Sequence, residues 1–106
     1  MRRYKTVYAP EAQVDLAGLY RWIAEAADPD TALGYIERIE AFTATFDLAP
    51  ARGMRRDDLR PGLRTVRFER SATIAFVVDD EELKVTFLRV FYRGRNWEPI
   101  LLGEGD

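Results

Sequence analysis

The sequence contains no cysteine and no histidine among its 106 residues. Without cysteine the chain forms no disulfide and offers no thiolate to zinc; without histidine it lacks the commonest metal ligand and the commonest general base. It also lacks an apolar run of the roughly 18–20 residues that span a bilayer, and its first residues lack the apolar core of a signal peptide. We therefore expect a cytoplasmic protein with no cofactor, no metal and no membrane association.

The length and composition are those of one globular domain. A chain of 106 residues is long enough for one hydrophobic core and too short for two, so we predict a single domain over residues 1–106. Hydrophobic residues make up 47% and charged residues 32% of the chain, which is typical of a soluble folded protein and not of a disordered one.

The net charge of −2 conceals an uneven distribution along the chain. Residues 9–50 carry eight acidic residues against two arginines, a local net charge of −6, whereas residues 51–70 carry seven arginines against three acidic residues, a local net charge of +4. Arginine accounts for 14 of the 16 basic residues, and its planar guanidinium suits contacts with carboxylates, phosphates and protein partners. A GC-rich genome would explain the arginine content but not its clustering.

The first half of the chain has the periodicity of two helices that follow a short strand at residues 4–8. Pro10 is well placed as the first residue of a helix that runs to about residue 27, and Asp28 as the cap of a second helix that starts at Pro29. The short turn between them predicts an antiparallel helical hairpin. Their apolar stripes consist of Ala12, Leu16, Leu19, Ile23 and Ala27, and of Ala32, Tyr35, Ile36, Ile39, Phe42, Thr43 and Phe46.

The second half of the chain has strand character. A basic loop at residues 51–62 precedes three predicted strands at residues 63–68, 72–78 and 83–92, and the acidic turn at residues 79–82 joins the last two as a hairpin. The last strand becomes apolar on both faces towards its end, which is typical of a central strand. We predict an α+β two-layer domain of order β-α-α-β-β-β: an N-terminal strand, a helical hairpin and a three-stranded, mostly antiparallel sheet.

Four segments resemble, in their order and spacing, the ParE branch of the RelE/ParE superfamily of bacterial toxins. They are APEAQVDLAGLYRWIAE, DPDTALGYIERIEAF, DDLRPGLRTV and RVFYRGRNWEPIL, and together they span nearly the whole chain. The resemblance implies the toxin of a type II toxin–antitoxin pair that poisons DNA gyrase without covalent chemistry of its own. It also implies a ParD-like antitoxin that neutralises the toxin in a higher-order hetero-oligomer.

Two activities share this superfamily fold, so the residues of the site must distinguish them. RelE-like members cleave mRNA on the ribosome, which requires a base, an acid and cations for the phosphorane charge. On the resemblance, Thr73 stands where the nucleases carry an arginine, and no tyrosine follows Arg93 where a catalytic tyrosine is expected. Arg93 does stand where a nuclease arginine is expected, and Tyr92 is beside it. An mRNA interferase using Arg64, Arg93 and Tyr92 is therefore the alternative function, and a non-toxic partner-binding domain with the same fold is a second alternative.

The cationic and aromatic end of the chain is the candidate surface for the target. Such a cluster binds nucleic acid, anchors a protein partner or forms a solvated strand end. We favour a protein partner, without sequence-specific nucleic-acid binding, because the domain is acidic overall. Arg64 is added because it matches a recurrent ParE-like arginine, although it could instead fix the basic loop. The predicted target-binding residues are Arg64, Arg89, Tyr92, Arg93, Arg95 and Trp97.

A second surface is predicted on the first helix. Val14, Gly18 and Trp22 recur every four residues on the side away from the core stripe, with Trp22 at its margin. This ridge could be a groove for an amphipathic helix of the antitoxin, or exposed apolar surface without function. The adjacent acids Asp57 and Asp58 and the turn at residues 79–82 are interpreted as solvated charge and not as a metal site.

Overall fold

The computed structural model describes residues 2–92 and 98–101. In chain order the secondary structure elements are β1 (Lys5–Tyr8), α1 (Pro10–Ala26), α2 (Pro29–Ala44), a short 3-10 turn (Thr45–Asp47), β2 (Met54–Arg55), β3 (Leu63–Phe68), β4 (Ala72–Asp79), β5 (Lys84–Tyr92) and α3 (Glu98–Leu101).

The predicted helical hairpin is confirmed, and so are the residues that start its helices. Pro10 and Pro29 each occupy the first helical position, where a missing N–H leaves no backbone bond unmade. The Asp28 carboxylate caps α2 by accepting a hydrogen bond of 2.8 Å from the Thr31 backbone N–H. α1 and α2 are separated by two residues, so they fold back on each other over the sheet.

The prediction of a three-stranded sheet is wrong, because the sheet has five strands in the order β1-β5-β4-β3-β2. β1 joins the sheet parallel to β5, and the other neighbours are antiparallel. An isolated β1 would leave its backbone N–H and C=O groups unpaired, and the edge of β5 supplies their partners. β2 has two residues within the basic loop, too few for hydrophobic periodicity to reveal.

The main core lies between the helices and one face of the sheet. Phe46, which is fully buried, sits at its centre, and its ring packs edge-on against Phe76 at 5.1 Å and Phe87 at 5.3 Å between centroids. Leu19 of α1 and Ile39 of α2 complete this layer from above. The two helices therefore hold the middle of the sheet through a continuous aromatic cluster.

A smaller core covers part of the other face of the sheet. Leu63, Ala75 and Phe91 are buried there under Leu59 and the short helix α3, which contributes Ile100 and Leu101. β5 is thus apolar on both faces near its end, as the sequence predicted. In the part of the chain that the structure describes, no helix is long and apolar enough to cross a membrane.

Candidate functional site

The candidate target surface begins where β5 ends, at Tyr92. Arg89 and Tyr92 lie on β5 itself, whereas Arg93, Arg95 and Trp97 fall outside the described residues. The predicted target contacts of these three residues stay predictions.

Arg89 is held by a carboxylate of α1. Its Nε and Nη2 atoms donate to the two oxygens of Asp15 at 2.8 and 3.1 Å, and the Asp15 Oδ2 atom also accepts from the Val90 backbone N–H at 2.8 Å. The Arg89 guanidinium lies 4.9 Å from the Phe91 ring centroid, within the range of a cation–π contact. Arg89 is therefore tied into the fold, with its side chain 22% exposed.

Tyr92 is held by the same helix. Its ring packs against Trp22 at 5.8 Å between centroids. Gly18 leaves room for this contact, because a Cβ atom at Gly18 would lie 3.2 Å from the Tyr92 hydroxyl. Gly18 was predicted to lie away from the core, with Trp22 at the margin, and the placement of Gly18 is wrong: both residues are half-buried, and Trp22 packs against the main core.

The error has a physical cause in the position of α1. This helix lies beside the end of β5 as well as above the sheet, so it buries a wider arc than its apolar stripe alone. Val14 does lie on the open side of α1 and is 67% exposed. Of the three predicted antitoxin-binding residues, Val14 is therefore open to a partner, whereas Gly18 and Trp22 are partly covered by Tyr92.

Arg64 lies at a different part of the molecule. It is opposite Phe76 on the helix-facing side of β3, and its Nη1 atom donates to the backbone carbonyl of Arg52 at 3.4 Å. Tyr92, on β5, is opposite Ala72, which is four residues from Phe76 along β4. Strand spacing therefore places Arg64 and Tyr92 roughly 15 Å apart. The structure does not bring Arg64 to the end of β5.

Arg64 lines a polar cleft of about 290 Å³ near the start of β3. Tyr4 and Asp80, which are joined by a hydrogen bond of 2.6 Å, also line the cleft, and Arg55 is opposite Arg64 in the β2–β3 pair. The contact with the Arg52 carbonyl links Arg64 to the basic loop and favours a structural role for this side chain. Binding of a target by Arg64 stays a prediction.

The acidic pairs in the loops bind arginines and backbone groups. Arg56 contacts both Asp58 and Glu98, at 2.9 and 2.7 Å, and so joins the basic loop to α3. The Gly62 backbone N–H lowers the pKa of Asp57, and the Arg56 guanidinium lowers that of Asp58. Across residues 2–92 and 98–101, no group of three acidic side chains is arranged to hold a metal ion.

Asp15 is the one residue of the site that the sequence reasoning missed. It is 8% exposed and lies on the stripe of α1 between the buried residues Ala12 and Leu19. A carboxylate at a core position of an amphipathic helix requires a cationic or hydrogen-bonding partner. That rule would have directed the search to an arginine on a neighbouring strand.

The same fold occurs in chains from two solved toxin–antitoxin assemblies. A chain of the chromosomal ParDE toxin–antitoxin system from P. aeruginosa superimposes with a TM-score of 0.73 at 22% identity, covering 85% of this chain and 96% of that one. A chain of the toxin–antitoxin complex RelBE2 from Mycobacterium tuberculosis superimposes with a TM-score of 0.60 at 22% identity, covering 90% of this chain and 97% of that one. The chain therefore shares its fold with chains of these two assemblies.

The sequence itself identifies the branch. The family model of the ParE toxin of type II toxin–antitoxin systems, parDE, matches residues 6–97, which is most of the chain. The protein belongs to the ParE toxin family. No curated protein sequence matches the chain significantly.

Proposed function

We propose that this protein is a toxin that poisons DNA gyrase and that a ParD-like antitoxin neutralises it. The observation that carries the proposal is the family match over residues 6–97, since the ParE resemblance implies gyrase as the target. The toxin acts by stabilising a protein complex and not by covalent chemistry. A chain without histidine or cysteine is suited to such a role, because binding requires neither a general base nor a thiol nucleophile.

The geometry of β5 supports a target surface that begins at Tyr92. Asp15 and Trp22 hold Arg89 and Tyr92, so the strand ends in a fixed position. Arg93, Arg95 and Trp97 follow in sequence and are of the residue types that dominate interface energetics. In this proposal Arg93, Arg95 and Trp97 contact gyrase, while Arg89 and Tyr92 support them.

The mRNA interferase alternative receives less support from the described residues. It needs Arg64 and Tyr92 at one phosphate, and they lie roughly 15 Å apart on the sheet. Thr73, at the position of a nuclease arginine, lies between Arg67 and Phe91 and supplies no cation. The fold shared with a chain of the RelBE2 complex is the observation in its favour, so the experiment includes this outcome.

The experiment is a DNA supercoiling assay with purified gyrase and antitoxin-free protein, run beside an in vitro translation reaction. We expect loss of supercoiling with accumulation of cleaved DNA, while translation continues. Halted translation with cut mRNA would establish the interferase instead, and no effect in either reaction would favour the non-toxic partner-binding domain.

A pair of double variants tests the surface. Replacing Arg93 and Arg95 by Ala should relieve inhibition of gyrase and leave antitoxin binding nearly unchanged. The matched control replaces Arg2 and Arg3, two exposed arginines next to β1 at the opposite end of the sheet, so it removes the same charge elsewhere. Equal loss of inhibition in both variants would mean that only net charge matters.

We place the antitoxin on the open side of α1, around Val14. If Trp22 is an anchor, Trp22→Ala should weaken antitoxin binding by roughly 2 kcal/mol or more. Because Trp22 also packs on Tyr92, the matched control is Tyr92→Ala, which removes the same intramolecular contact and keeps the indole. Equal affinities for wild type and Trp22→Ala, measured by calorimetry, would remove Trp22 from the interface.

A further inference from the structure

The end of β5 lies beside a helix where a neighbouring strand would be expected. β1 pairs with Lys84–Phe87 and leaves the sheet after the Ala9 backbone N–H donates to the Phe87 carbonyl at 2.9 Å. Along this edge, no strand of the described chain pairs with residues 88–92. An unpaired backbone N–H at a sheet edge either meets water or needs a substitute acceptor.

Asp15 is that substitute acceptor. Its Oδ2 atom accepts from the Val90 backbone N–H at 2.8 Å, in the place of a strand carbonyl. The same carboxylate accepts two hydrogen bonds from the Arg89 guanidinium, so three donors surround one buried charge. Burying a carboxylate is costly unless it is paired and hydrogen-bonded in this way, which makes the position intolerant of losing any one member.

A β-bulge brings both donors to the carboxylate. Ala75 is opposite Arg89 and Phe76 is opposite Phe87, so Leu88 is an extra residue in β5. Bulges of this kind redirect the side chains that follow them. Here the Arg89 side chain and the Val90 backbone N–H, from consecutive residues, converge on Asp15.

The hold on β5 continues along α1 for two further turns. Asp15, Gly18 and Trp22 follow one another at intervals of three and four residues, the spacing of one helix face. Trp22 packs against the Tyr92 ring, and Gly18, which has no side chain, leaves room for the Tyr92 hydroxyl. One face of α1 therefore fixes β5 up to the last residue before the predicted target contacts.

We propose that Asp15 is a positioning residue, which takes the place of a missing strand beside β5 and fixes the end of β5, the strand that precedes Arg93, Arg95 and Trp97 in the sequence. The role in target binding rests on the proposed function. The role in ordering the strand end does not, because it follows from the hydrogen bonds of Asp15 alone. Two measurements separate these claims.

The first measurement is amide hydrogen exchange by NMR on wild type and Asp15→Ala. Val85, near the start of the same strand, is buried and paired with both β1 and β4, so it reports unfolding of the whole domain, whereas Val90 reports opening of the strand end. We expect exchange at Val90 to accelerate at least about tenfold beyond any change at Val85. An equal change at both amides would show that Asp15 adds only general stability, and would overturn the proposal.

If Asp15→Ala does not fold, the exchange rates of Val90 and Val85 are compared in Asp15→Asn instead. The amide oxygen of Asn can still accept from the Val90 backbone N–H, but the charge that pairs with Arg89 is lost. We expect Val90 to keep more protection in Asp15→Asn than in Asp15→Ala. Arg89→Met also keeps the acceptor for the Val90 backbone N–H, but it leaves the buried carboxylate without its cation, so we expect Val90 to lose more protection than in Asp15→Asn.

The second measurement is the concentration of protein that inhibits gyrase supercoiling by half. We expect Asp15→Ala to require on the order of tenfold more protein, as for a displaced interface anchor. The matched control is Asp79→Ala, which removes an acidic hydrogen-bonding residue opposite Lys84, at the other end of β5 from Tyr92, and should leave this concentration unchanged. Unchanged inhibition by Asp15→Ala, despite faster exchange at Val90, would refute the link to target binding.

A wild-type protein that does not inhibit gyrase would refute the proposed target. Hydrogen exchange at Val90 would still decide whether Asp15 orders the end of β5.

Discussion

Two glycines of the basic loop give a sharp test of how β2 is attached to the sheet. Gly53 and Gly62 both have positive φ angles, 78° and 80°, which side-chain-bearing residues rarely adopt. They differ in their surroundings. A Cβ atom at Gly53 would lie 2.3 Å from the Thr65 carbonyl oxygen, whereas a Cβ atom at Gly62 would meet nothing within 4 Å.

The difference sets the expected magnitudes. The backbone strain of a left-handed conformation costs about 1–2 kcal/mol in either alanine variant. At Gly53 the clash is with backbone, so β2 and β3 must also separate, and each lost hydrogen bond of their two-residue ladder costs about 1 kcal/mol. We expect Gly53→Ala to lower the free energy of unfolding by about 3 kcal/mol or more, and Gly62→Ala by about half as much.

Urea denaturation followed by circular dichroism measures both losses on one scale. Gly62→Ala serves as the control for backbone strain, because its substitution adds no contact. Equal losses of stability in the two variants would refute the idea that the approach of Gly53 to Thr65 fixes β2. A larger loss for Gly62→Ala would refute the assignment of the two environments altogether.

Further predictions concern the core and the response to acid. Phe46→Ala should lower the free energy of unfolding by about 3–5 kcal/mol and Phe46→Leu by much less, as measured by urea denaturation, because Phe46 is fully buried among aromatic rings. Thr31 lowers the pKa of Asp28, Gly62 that of Asp57 and Arg56 that of Asp58, so their stabilising effect is complete above the usual value of 3.8 and is lost as the pH falls through the folded-state values. The urea concentration at the midpoint of denaturation should therefore decrease as the pH is lowered below about 4, and it should decrease less steeply in Asp28→Asn. An increase of this concentration on acidification would contradict the prediction.

The helices could be predicted from the sequence because local chemistry determines where they start. Pro10 and Pro29 tolerate the first helical position, and the Asp28 side chain caps its own helix within three residues. None of these effects depends on distant parts of the chain. The same holds for the turn after β4, where Asp79 accepts hydrogen bonds from the backbone N–H groups of Glu81 and Glu82.

The sheet was predicted less well because its pairing is non-local. The sequence of β1 indicates a strand but not that its neighbour is β5, nearly 80 residues away. β2 becomes a strand because Gly53 lets the loop approach Thr65, and a two-residue segment carries no periodicity of its own. Partners fixed by tertiary structure are invisible to an analysis of periods and caps.

The sequence pointed to Arg89 and Tyr92 at the end of β5 but not to Asp15, the residue that binds Arg89. Val14 and Trp22 drew attention as apolar residues outside the stripe, while Asp15, a charge within the stripe, did not. A charged residue on a buried helix face is the stronger signal, since it conflicts with its local pattern and must be satisfied elsewhere. Here the partner of the buried Asp15 carboxylate is Arg89, one of the residues predicted to contact the target.

The ion pair with Asp15 also divides the predicted target residues into two groups that salt can distinguish. Arg89 is neutralised by a buried partner, so it adds little field outside the molecule, and Arg89→Met should act through the order of β5. Contacts by Arg93 and Arg95 to gyrase would be screened by ions, as exposed interface charges are. We therefore expect inhibition by wild type to weaken as salt rises, and this dependence to be reduced by Arg93→Ala with Arg95→Ala but kept in Arg89→Met. The same salt dependence in all three proteins would mean that the charges at the end of the chain do not face the target.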